Sequence, residues 1–135
     1  MESQPMSSPV PRPSRAAFWV GWVLSGLPAP LLVFSGVSKF MMNEQVAKGF
    51  TDLGWPVRLA VPLGVLELSC LVLFLIPRTA VLGAILFTGY MGGAIATHVR
   101  IGEPFYVQSA LPVVVWLGLY LREPRLRELI PVRRY

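Results

Sequence analysis

RLAVPLGVLELSCLVLFLIPR, residues 58–78, decides the fold. Between its two arginines run nineteen residues with a single charge, Glu67, near the middle. At ~1.5 Å of rise per residue, a helix of this length crosses a ~30 Å hydrocarbon core. A bare carboxylate at the centre of a bilayer costs ~3 kcal/mol, a cost the surrounding leucines and valines offset. A segment needed only as an anchor would do better with Leu at position 67. Glu67 is therefore a candidate functional residue in an integral membrane protein.

The rest of the composition agrees. Of 135 residues, 54% are hydrophobic and 14% charged, whereas soluble domains run at about 25% charged. Mean hydropathy is +0.60. The length fits one domain. The net charge of +5 does not point to nucleic acid, because the basic residues flank apolar runs instead of gathering on one face beside aromatics. The single cysteine, Cys70, lies inside an apolar run and reads as a small buried hydrophobe; with no second thiol there is no self-contained thiol–disulfide chemistry. One His and scattered carboxylates supply no metal cluster, and no nucleophile–base pair or phosphate-binding loop is present.

The expected fold is an all-α integral membrane four-helix bundle with a short amphipathic interfacial helix between the first and second spans. The spans fall at about 16–38, 58–77, 79–99 and 104–121, within a membrane domain of residues 16–122. Residues 1–15, rich in Pro and Ser, read as a disordered cytoplasmic tail, and 123–135 as a basic cytoplasmic tail. Pro28 and Pro30 should kink or locally open the first span. The tight turn Ile76-Pro77-Arg78-Thr79 makes the second and third spans antiparallel neighbours. Pro104 suits the first turn of the fourth span, which also carries Pro112.

Eight arginines (12, 15, 78, 122, 125, 127, 133 and 134) would share the side of the termini, against Lys39, Lys48, Arg58 and Arg100 on the other. That bias places both termini in the cytoplasm. Trp19, Trp22, Trp116 and Tyr120 would mark the inner boundary, Trp55 and Tyr106 the outer. In the outer loop, Val46, Phe50 and Leu53 recur at i, i+4 and i+7, with Glu44, Lys48 and Asp52 interspersed before and between them. This predicts a short interfacial helix closed by Gly54-Trp55-Pro56, either a lid or a plug for the bundle end.

The third span is dense in small residues: Gly89 and Gly93 form a GxxxG, favouring close contact inside the bundle, with homodimerisation through the same face as the alternative. Counting from the hairpin turn puts Thr88 at the depth of Glu67 and Tyr90 within a turn of it, so either could hydrogen-bond the carboxylate. Ser35, Lys39 and Asn43 share a face if the first helix extends that far. Ser35, Lys39, Thr97 and His98 would gather in the outer half above a deeper Glu67. A direct Lys39–Glu67 pair would need helix tilt or a water bridge. His98, beside Arg100, should be wet and able to titrate.

Four segments carry a family resemblance: FSGVSKF (34–40), FTDLGWP (50–56), GVLELSCLVLFLIPRTAVLGAILFTGYMGGAIATHVRIGEPF (64–105) and LYLREPRLRELIP (119–131). The chain resembles the DoxX-like family of small bacterial four-helix membrane proteins over nearly everything after the N-terminal tail. The resemblance implies a place in the bacterial inner membrane. It also implies an association with envelope redox systems, since the family takes its name from a small membrane subunit of a thiosulfate:quinone oxidoreductase. Carried over residue by residue, the family pattern falls on Lys39, Glu67 and His98.

The expected function is thus a non-catalytic or accessory component of a membrane redox enzyme, lying in the lipid bilayer and binding a small hydrophobic molecule such as a quinone near Glu67. Were it catalytic, it would be a membrane oxidoreductase subunit. Two other uses stay open: a structural or partner-binding protein with Glu67 as interhelical glue, and a transporter or efflux helper acting as an oligomer.

Overall fold

A computed structural model describes residues 12–129 together with residue 9, so most of the N-terminal tail and the end of the C-terminal tail, Arg133 and Arg134 included, lie outside the described residues. The described residues form seven α-helices and one 3-10 turn, without a strand.

The first apolar stretch is two helices. α1 (Arg15–Gly26) is capped by Ser14, whose hydroxyl accepts from the Ala17 amide at 3.1 Å. α2 (Pro28–Met41) follows after Leu27. Pro28 and Pro30 bring no amide donors, which breaks the helical hydrogen-bond ladder, while Leu27 itself stays in the right-handed helical region (φ −61°, ψ −45°). The result is a kink, not a loop, as the prolines predict.

α2 ends at Met41, because Met42 is left-handed (φ 49°). Asn43 therefore does not extend the Ser35–Lys39 face. Its side chain instead accepts from the Val46 amide at 2.9 Å and caps α3 (Glu44–Asp52), the expected amphipathic helix. Gly54 (φ 76°) closes α3: its amide and that of Trp55 bond back to the carbonyls of Thr51 and Phe50, each at 2.9 Å.

A 3-10 turn, Val57–Leu59, leads into α4 (Ala60–Leu75), and a short turn leads to α5 (Ala80–Ile101). α5 outlasts its expected end and stops at Gly102 (φ 74°), where the Glu103 amide returns to the His98 carbonyl at 3.0 Å. That closing motif uses up the next residues. α6 (Tyr106–Arg122) accordingly begins after Pro104, not on it. α7 (Pro124–Leu129) gives part of the C-terminal tail helical structure and buries Leu126. Among the described residues three stretches are long and apolar enough to cross a membrane: Arg15–Met41, Val57–Leu75 and Ala80–Ile101. α6, at 17 residues, is shorter.

The helices close a ring in which α1 packs on α6, α2 on α4, α4 on α5 and α5 on α6. The kink is what lets one apolar stretch serve two neighbours. Packing is tightest at the end of the bundle that carries the termini. There a Cβ on Gly83 would sit 2.3 Å from the Phe74 amide nitrogen, and one on Gly21 2.8 Å from the Gly118 carbonyl oxygen. Phe74, Ala84, Phe87, Val115 and Leu119 fill the space between.

Arg122, expected as a free flanking charge, folds into this end. It is 7% exposed, donates to the Phe74 carbonyl at 2.9 Å, and lies over the rings of Trp22 and Phe74. Trp116, assigned from sequence to the boundary, donates to Thr88 from α6 at 2.7 Å.

The GxxxG glycines make none of the contacts expected of them. A Cβ on Gly89, Gly92 or Gly93 would meet no other residue within 4 Å. Close approach is made by Gly83 against Phe74, Gly64 against Gly36 and Gly21 against Gly118 instead. Gly83→Ala should therefore cost about 1–3 kcal/mol through overpacking against backbone that cannot yield, while Gly89→Ala should be neutral or gain up to ~1 kcal/mol of helix propensity. Thermal unfolding of both variants in mild detergent checks this; equal losses would contradict the assigned contacts.

Candidate functional site

The least packed part of the bundle is its other end, beneath α3. Here α2 leans onto α4 and touches α6 little, and a cavity of about 550 Å³ opens between α2, α4, α5 and α6. That volume lies within the range of small-molecule sites. Its walls are mostly apolar, with Leu32, Leu63, Met91 and Leu111 among them, and α3 with the following turn covers it through Phe50, Leu53 and Trp55.

The polar side of the cavity is built on Glu67, which is 2% exposed. Lys39 forms a direct ion pair with its Oε2 at 2.7 Å. Neither a bridging water nor reach from the helix end is required. A Cβ on Gly64 would sit 3.0 Å from the Gly36 carbonyl oxygen and 3.1 Å from the Lys39 Cβ, so the two helices cross almost in contact. That crossing sets Lys39 level with Gly64, only ~4.5 Å of helix rise from Glu67. The expected end of the first span at about residue 38 placed Lys39 too far out.

The ammonium has three donors and three acceptors: Glu67 Oε2, the Ser35 hydroxyl at 2.7 Å and the Ser35 carbonyl at 3.3 Å. Oε2 also accepts from the Ser35 hydroxyl and the Tyr90 hydroxyl, both at 3.3 Å. Of the two residues that hairpin counting allowed, Tyr90 is the partner. Thr88 is turned away; it donates to the Ala84 carbonyl and accepts from Trp116. Every donor on this carboxylate converges on Oε2. Oε1 takes no hydrogen bond from the described residues, and Glu67 lines the cavity.

His98 lines the same cavity but stands apart from this network, eight residues or ~12 Å along α5 from Tyr90. It is half-buried, not fully wet. Its Nδ1 donates to the Ala94 carbonyl at 2.7 Å, and its Nε2 lies 3.2 Å from the Gln108 side-chain nitrogen, with which it shares a hydrogen bond in the neutral tautomer. Thr97 accepts from the Trp55 indole at 3.3 Å, which ties the turn after α3 to α5. Gly89 and Gly93 belong to the cavity wall.

Gln108 and Trp55 were not singled out in the sequence as site residues. The count that related Glu67 to Thr88 also works across the Gly102–Phe105 turn, and it puts Gln108 level with His98. Among the described residues no three His, Cys, Asp or Glu side chains come together to hold a metal ion.

Chemically, the site offers a free carboxylate oxygen and a phenol, held beside an ammonium whose donors are all in use, and facing an apolar space. Removing one partner of a buried ion pair strands the other charge, at about 3–5 kcal/mol, whereas replacing both with apolar residues is often neutral. Lys39→Met should therefore lower stability by about that amount, and Lys39→Met with Glu67→Leu should recover most of it. Unfolding midpoints in one detergent test the cycle; additive losses would mean that the pair does not act as a unit.

No curated protein matches the chain, and no solved structure does. The family comparison is positive: the model of the DoxX-like family matches residues 23–121, from α1 through α6 and so across the whole cavity. The chain belongs to the DoxX-like family.

Proposed function

We propose that this protein is a four-span protein of the bacterial inner membrane, with both termini cytoplasmic, that holds a small apolar molecule against Glu67. One observation carries this reading: a buried carboxylate keeps one oxygen unbonded at the edge of an apolar cavity of about 550 Å³. A carboxylate serving only to join helices would be expected to use both oxygens for that purpose, whereas here all three side-chain donors converge on Oε2 and the residue lines the cavity. A ligand carrying a hydroxyl or N–H on an apolar body completes the set. The reduced form of the expected quinone, a quinol, fits that description: its hydroxyl would donate a hydrogen bond to Oε1, and Glu67 would take the head-group proton as the partner redox enzyme withdraws the quinol's electrons, while Tyr90 holds Oε2.

A second reading rests on the network itself. Ser35 and Lys39 on α2, Glu67 on α4 and Tyr90 on α5 bind three helices together, which is what interhelical glue does.

Mass spectrometry of organic extracts from wild-type and Glu67→Gln protein, purified in mild detergent, separates the two. Ligand binding predicts a stoichiometric apolar molecule in the wild type, depleted by about tenfold or more in the variant, the loss expected from one charge-assisted hydrogen bond. Equal extracts containing only bulk phospholipid, together with a large loss of stability in the variant, would favour glue.

A further inference from the structure

The cavity is tied down on its α3 side, whereas its flank between α4 and α5 is lined by glycines. On the α3 side, Trp55 bonds Thr97, the Arg100 guanidinium donates to the Leu53 carbonyl, and Phe50, 8% exposed, lies across the top. Gly54, in its left-handed conformation, leaves room for that guanidinium: a Cβ there would lie 2.9 Å from Arg100 Nη2.

The flank between α4 and α5 is built the opposite way. Backbones touch at Gly83 and Phe74, but at Gly89 and Gly93 a Cβ would meet no other residue within 4 Å. Both glycines are exposed, yet both line the cavity. Gly93 also lines, with Ala96 and Thr97, a groove on that surface which borders the cavity. The small residues do not bring helices together here; they leave a gap in the wall. The same cavity is lined by a carboxylate that is 2% exposed and has one oxygen free of side-chain hydrogen bonds.

We infer that the gap framed by Gly89 and Gly93 is the entrance, and that the ligand is a molecule dissolved in the bilayer, not one arriving from water. This rests on the ligand-site reading above, but its test requires no ligand. Ala94→Cys puts a thiol in the cavity wall; wild-type protein, with Cys70 1% exposed, is the control. In nanodiscs, which expose both faces to water, the thiol is challenged with a lipophilic pyrene maleimide and with a sulfonated, membrane-impermeant maleimide.

The lipophilic reagent should label Ala94→Cys faster by about tenfold or more, and adding Gly89→Leu or Gly93→Leu should slow it by about tenfold. Removing the latch with Thr97→Val and Arg100→Ala should speed the sulfonated reagent, and Gly89→Leu should leave that rate unchanged, which shows that the thiol itself remains reachable. Equal rates for the two reagents with the latch intact, or lipophilic labelling indifferent to both leucines, would overturn the entrance. Such a result would leave the extraction experiment, and with it the site, standing by itself.

Discussion

An ion pair in low dielectric is the constraint from which the remaining geometry follows. Glu67 and Lys39 sit on different helices, with side chains 3% and 16% exposed, and neither charge is tolerable there alone. To meet, α2 must cross α4 within backbone contact, which Gly36 and Gly64 permit and any larger side chain at 64 would obstruct. α1, in contrast, is held against α6, where Gly21 and Gly118 approach just as closely. One straight helix cannot satisfy both contacts. The break at Leu27, forced by Pro28 and Pro30, reconciles them.

The cavity is the geometric remainder of that compromise. With α2 drawn to α4, the space it would fill beside α6 is left empty, and α3 and Trp55 cover it from above. At the opposite end the bundle is closed by Phe74, Phe87 and Leu119, and by Arg122 lying between two aromatic rings. The described bundle is thus dense around the start of α1 and the end of α6, and hollow beneath α3.

Much of this was legible in the sequence because periodicity and punctuation act locally. The apolar stretches, the proline kink, the amphipathic α3 and the depth of Tyr90 relative to Glu67 all follow from counting residues along helices. Contacts between helices far apart in sequence did not. Lys39 looked too distant from Glu67 because its depth depends on how α2 tilts, and that is fixed by the Gly36–Gly64 crossing. The GxxxG motif misled about packing inside the bundle for a related reason: glycine allows close approach without requiring it, and a Cβ at Gly89 or Gly93 would meet no other residue within 4 Å. Arg122 reads as a surface charge until Trp22 and Phe74 are seen to enclose it.

The central claim, that Glu67 is ionised and paired with Lys39 inside the bundle, is tested most directly by infrared spectroscopy of the carboxyl group. The difference spectrum between wild-type and Glu67→Gln protein in lipid at neutral pH should contain the antisymmetric stretch of a carboxylate and no stretch of a protonated carboxyl. A protonated carboxyl band in that spectrum would mean that Glu67 is neutral, and the ion pair on which α2, the cavity and the ligand site are all built would be contradicted.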